Sequence, residues 1–218
     1  MIGVDYLSWS FDKEVVVTTD FKGPRYLGDY CASGWVNENG QQVAPDYEQA
    51  VACYKVALAN KGAFDLTACM KMAFWYYDGE IVEKDDTLAF AYLLYGFYNG
   101  KNLHATQTNM PEGLLMMATL FEQGIPEVVE ADEAMTVTFY TYAYKSAEAM
   151  LGHNAEVEDA DMEAVKEKAQ AALTAMNKEL DESIFIGDAA NDFDASFQAL
   201  LKPYIGVIGA YLGVKGVK

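Results

Sequence analysis

His104 and His153 are the only two histidines in this chain of 218 residues. Imidazole is the side chain best suited to general-base or metal-ligand work near neutral pH. Neither histidine sits in an HExxH pattern, and none of Cys31, Cys53 and Cys69 forms a CxxC pair. His104 falls in the polar stretch 101–109, which reads as a loop. His153 follows Gly152 at an expected helix end, where a cation interacts well with the terminal carbonyls. The three cysteines are odd in number and widely spaced, so they read as buried reduced thiols rather than a disulfide framework. No catalytic set, cofactor or metal site is expected from these residues.

Carboxylates offer a second chemistry. The segment Glu156–Asp194 holds 12 acidic residues against 3 Lys, a net of −9. A calcium loop of the EF-hand kind needs alternating ligands, a Gly at its sixth place and a Glu at its twelfth. Neither Glu156–Glu163 nor Asp188-Asn191-Asp192-Asp194 supplies that order. A solvated, N-capping acidic helix start is the plainer reading, and a docking face for a basic partner is the sharper one. The whole chain carries a formal charge of −18. Such a chain repels phosphate backbones and anionic lipid surfaces, which argues against nucleic acid and membrane partners.

The elements that must position any site are helices in a repeating register. A Gly stands ten residues before an Ala three times: Gly40 and Ala50, Gly79 and Ala89, Gly124 and Ala134. The register recurs at 39 and then 45 residues, and a period of this size marks stacked supersecondary units. Counting back from each Gly, Tyr76 and Phe121 stand three before it. Gly34, Ala73 and Ala118 stand six before it, and Ser33, Met72 and Met117 seven. These offsets share one helical face, with small residues where a second helix approaches. Asp46, Asp85 and Asp132 fall where the second helix of each unit starts, as N-caps.

This arrangement resembles the Sel-one-like repeat (SLR) family, relatives of the tetratricopeptide helix-pair repeats. Ala68, Met72, Ala73, Tyr76, Gly79, Val82, Asp85 and Ala89 match the family motif. Gly34, Gly40, Val43, Asp46, Ala50, Tyr54 and Ala57 match it in the first unit, and Gly113, Met117, Ala118, Phe121, Gly124 and Ala134 in the third. In the third unit Glu130 stands in the motif's Asp place. The resemblance covers about residues 26–150. It implies an all-α fold, a right-handed α/α solenoid of about three helix pairs, with 1–25 as an N-terminal arm and 151–218 as a C-terminal helical cap in one continuous domain. It also implies a non-catalytic adaptor that binds a protein or peptide on its concave face, built from first helices. The side chains left free on that face are Trp35 and Cys31, then Met70, Phe74 and Tyr77, then Leu115, Thr119 and Glu122.

The ends depart from the motif. Val15–Thr19 reads as a strand or extended arm ended by Gly23-Pro24. An apolar stripe of Met162, Val165, Ala169, Leu173, Met176 and Leu180 predicts a helix, and 193–212 predicts another with Pro203 as a kink. The apolar stretch Tyr204–Val214 is too short to span a bilayer, and the first residues lack the basic region of a signal peptide. The expected compartment is the cytoplasm. Packing of the tail on the last repeat is the plain expectation, and homodimerisation through it the alternative. Two other function classes stand beside the adaptor. One is an acidic immunity or inhibitor protein that neutralises one basic partner. The other is an enzyme, which loss of activity on mutating His104 or His153 would mark.

Overall fold

The computed structural model describes residues 23–36, 39–59, 66–99, 109–153, 160–184 and 195–213. The expected strand at 15–19, His104, the Glu156–Asp159 acids and the Asp188–Asp194 cluster lie outside these residues, as does the His153 side chain. The described residues are mostly helical, with almost no strand, so the fold is all-α. The chain divides into two compact units, Met1–Met72 and Ala73–Lys218, and the division falls inside a helix rather than at an end of the expected array.

In the first unit, α1 (Gly23–Ser33) leads into a two-residue antiparallel pairing of β1 (Trp35–Val36) with β2 (Gln42–Val43), and then α2 (Tyr47–Ala59). α3 (Leu66–Asp78) begins in this unit and ends in the next. Gly23-Pro24 opens α1. Proline has no N–H to lose in a first helical turn, where that donor is unbonded anyway, and its φ already suits the helix. α1 packs along α2.

The second unit continues with α4 (Asp86–Asn99), α5 (Met110–Gln123), α6 (Glu133–His153), α7 (Ala160–Ala175), α8 (Ala195–Leu201), a 3-10 turn at Lys202–Tyr204 that contains Pro203, and α9 (Ile205–Leu212). α6 packs on both α5 and α7. α4 is buried on every side from Ala89 to Leu94, because α9 returns to pack along it. Ile208 is fully buried there, and the Tyr204 ring meets Phe90 and Phe121 edge-on at 6.1 and 5.1 Å. Phe197 of α8 fills the space among Phe97, Phe139 and Tyr142. The C-terminal elements thus belong to the core of this unit. α7 buries Met162, Val165, Ala169 and Leu173 and stops short of Leu180. Asn177 takes the left-handed conformation at φ 54, and Lys178 N–H returns to the Leu173 carbonyl at 2.8 Å. That pattern satisfies the last carbonyls and turns the chain out of the helix.

One corner recurs three times among the described residues. Asp46, Asp85 and Asp132 each donate their N–H to a carbonyl of the preceding helix: Cys31 at 2.8 Å, Tyr76 at 2.8 Å and Phe121 at 2.9 Å. Each Asp also accepts at Oδ1 the N–H three residues on, from Gln49, Leu88 and Met135, at 2.9, 2.9 and 3.0 Å. This is N-capping by a carboxylate that also suits the helix dipole. The carbonyls involved lie three residues before Gly34, Gly79 and Gly124, with φ of 70°, 73° and 69°. The counterpart of Gly79 and Gly124 is therefore Gly34, not Gly40, and the first copy is offset by six residues from the register expected of it. Gly40 lies in the extra hairpin that lengthens the first loop. In the third corner the loop is two residues longer than in the second. Thr136, fully buried, takes the place of Ala50 and Ala89, while Ala134 is exposed.

Candidate functional site

Side chains three before the corner Gly meet side chains seven after the capping Asp. Tyr76 stacks on Tyr92 with centroids 5.8 Å apart, and Phe121 on Phe139 at 5.5 Å. In the first corner those places hold Cys31 and Cys53, both fully buried and hydrogen-bonded to each other. The thiol of Cys31 is pushed up by that hydrogen bond and by burial, so it is held protonated. Six before the Gly stand Gly28, Ala73 and Ala118, all buried. A Cβ on Gly28 would lie 2.6 Å from the Tyr54 ring, which shows how closely the second helix approaches.

Offsetting the first copy changes which of its residues share a face with Phe74 and Tyr77. The equivalents of Met70, Phe74 and Tyr77 in α1 are Arg25, Asp29 and Ala32. Trp35 lies instead in β1, half-buried, with its Cα opposite Val43. Cys31 is in the core. Met70 is fully buried and offers no surface to a partner. The displacement of Trp35 and Cys31 has one cause: a helical face is set by the residue that ends the helix, and in α1 that residue is Gly34.

In the first unit Asp29 gathers three donors. Tyr54 Oη donates to its Oδ1 at 2.7 Å, Lys71 Nζ at 2.6 Å, and Arg25 pairs with its Oδ2 at 2.5 Å. Burial, and then the hydrogen bond to the Asp29 carboxylate, push the Tyr54 hydroxyl well above the ordinary tyrosine range. The Arg25 guanidinium also lies over the Tyr26 ring, 3.9 Å from its centroid.

The second unit holds a related cluster. Tyr140 is the structural equivalent of Tyr54, eight residues after its capping Asp. It is 4% exposed, and its hydroxyl donates to Glu122 Oε2 at 2.6 Å. Burial first, and then the Glu122 hydrogen bond, push its pKa up to about 12, against a hydrogen bond with Thr119 that lowers it. Tyr77 adds a smaller electrostatic push from α3. So Tyr77, Thr119 and Glu122 come together around Tyr140. Phe74 and Leu115, each one turn back along its helix from Tyr77 and Thr119, are half-buried. Thr119 Oγ1 bonds the Leu115 carbonyl at 3.1 Å. Lys84 Nζ lies 4.8 Å from the Tyr77 centroid, and its ion pair is with Asp86 at 3.3 Å. Glu122 itself is exposed, with no ion pair among the described residues.

Sequence alone did not single out Asp29, Lys71 or Tyr140, and it marked Tyr54 only as a repeat-motif residue. A 45-residue spacing separates Gly34 from Gly79 and again Gly79 from Gly124, and that constant interval would have set the register that exposes Asp29. Among the described residues no three His, Cys, Asp or Glu side chains converge as a metal-ligand set, and no helix is long and apolar enough to cross a membrane. No family model matches the chain, and neither a curated protein nor a solved structure does.

Proposed function

We propose that this protein is a non-catalytic binder of a protein or peptide, built as a solenoid of helix pairs of the Sel-one-like kind. The recurring corner supports that architecture. The carrying observation for the function is the cluster on the second unit's first-helix face: half-buried Phe74, Tyr77 and Leu115 beside Thr119 and an exposed Glu122. A patch that combines aromatic anchors with one oriented polar group is what partner recognition requires. The step from helix-pair architecture to binding is an analogy from fold to function, and the cluster gives it particular residues.

The test is capture of partners by wild type and by the Phe74→Ala/Tyr77→Ala double variant. The variant keeps its helical circular dichroism and loses the main partner. Retention of every partner by a folded double variant refutes the assignment of this face.

A further inference from the structure

We infer that the Glu122–Tyr140 pair is a receptor for one Lys or Arg side chain of the bound peptide, an inference that rests on the reading of this face as a binding surface. The molecule carries its own precedent. In the first unit a tyrosine at the same position of the second helix, Tyr54, donates to a carboxylate on the preceding first helix, Asp29. That carboxylate takes an ammonium from Lys71 at 2.6 Å and a guanidinium from Arg25. In the second unit Tyr140 donates to Glu122 at 2.6 Å, yet no basic side chain of the described residues pairs with Glu122. Lys84, beside Tyr77, is engaged by Asp86.

The chemistry favours a cation. An ionised carboxylate accepts at several lone-pair positions, and the tyrosine bond occupies one of them. That bond also fixes the carboxylate, so less side-chain freedom is lost when a ligand arrives. Lys84 Nζ already lies over the Tyr77 ring, which shows that the ring accepts a cation, and Phe74 and Leu115 offer apolar surface to the methylene stem of the incoming side chain. A free carboxylate beside aromatic rings repels phosphate and carboxylate ligands. The formal charge of −18 on the chain draws a basic peptide toward it.

The experiment selects peptides from a random phage-displayed library on the intact protein, then measures fluorescence anisotropy with labelled synthetic copies. The recovered peptides contain a Lys or Arg. Replacing that residue by Gln, or making Glu122→Gln, weakens binding about tenfold or more, the scale of a charge-assisted hydrogen bond lost from a partly desolvated site. Tyr140→Phe weakens binding less, since the charge remains and only its positioning is lost. Raising salt from about 50 to about 300 mM weakens wild-type binding more than it weakens Glu122→Gln. Peptides that bind Glu122→Gln as tightly as wild type, yet fail on Phe74→Ala/Tyr77→Ala, overturn the cation receptor and leave the face intact. Peptides indifferent to both variants, or a library that yields no peptide, overturn both. The peptide-side replacement needs no protein variant, so a folding defect cannot mimic the result.

Discussion

Cys31 with Cys53, Tyr76 with Tyr92, and Phe121 with Phe139 occupy one pair of positions with three chemistries. What the corner demands there is a contact between its two helices, and a pair of thiols or a pair of rings supplies it. The residue that does separate the corners is the tyrosine eight beyond the cap. Tyr54 and Tyr140 each donate to a carboxylate, while α4 has Leu93 there, fully buried. The Tyr140 phenol has its pKa raised to about 12 by burial and by its carboxylate partner. A group whose folded pKa exceeds its unfolded value, near 10, stabilises the fold fully below pH 10. That contribution falls as pH rises from about 10 to about 12, because the unfolded chain loses its proton first. Phenolate absorbance titration of wild type against Tyr140→Phe isolates this residue. The difference curve is centred near pH 12, and a midpoint near 10 shows that the phenol is neither buried nor bonded to Glu122.

At the scale of elements, the corners are specified by two residues, a Gly in the left-handed region and an Asp cap, with loops of variable length between them. Gly34 and Gly40 test which glycine is the corner. A Cβ on Gly34 would meet the Val43 carbonyl oxygen at 2.5 Å, whereas one on Gly40 meets nothing within 4 Å. Both have positive φ, 70° and 76°. Gly40→Ala therefore carries only the backbone term, about 1–2 kcal/mol. Gly34→Ala adds a clash with backbone that cannot swing aside, at least about 1 kcal/mol more. Urea unfolding of both variants measures the difference, and equal costs would restore Gly40 to the corner. The Gly–Ala spacing of ten residues misled because it runs across these loops. Insertions there shift the Ala while leaving the helices alone, so the third match falls on exposed Ala134 in place of buried Thr136.

At the scale of the molecule, the C-terminal elements are integral to the second unit. Phe197 is fully buried among Phe97, Phe139 and Tyr142, while Tyr211, close to the end of α9, is 48% exposed. Phe197→Ala costs about 3–5 kcal/mol, the range for emptying an aromatic site in a packed core. Tyr211→Ala stays within about 0.5 kcal/mol, as for surface changes in general. Thermal unfolding followed by circular dichroism distinguishes this arrangement from an appended tail, in which neither change matters. α9 still leaves Gly206, Gly209, Ala210 and Tyr211 exposed, so the surface it presents is three small residues and one ring.

The sequence alone determined the helical class, because apolar spacing and helix punctuation by Asp and Gly act within a few residues of chain. It also placed Phe74 with Tyr77, and Leu115 with Thr119 and Glu122, on shared helix faces, since offsets along one helix fix a face. Tertiary structure decided the rest: that Gly34 ends the first helix, that Met70 faces inward, that α9 closes over α4, and that Tyr54 and Tyr140 reach back to Asp29 and Glu122. Those outcomes depend on contacts between residues 18 or more positions apart in the carboxylate pairs and about 100 apart at the α4–α8 packing. Local pattern carries no record of such distances, because many registers satisfy the same periodicity and only packing selects among them.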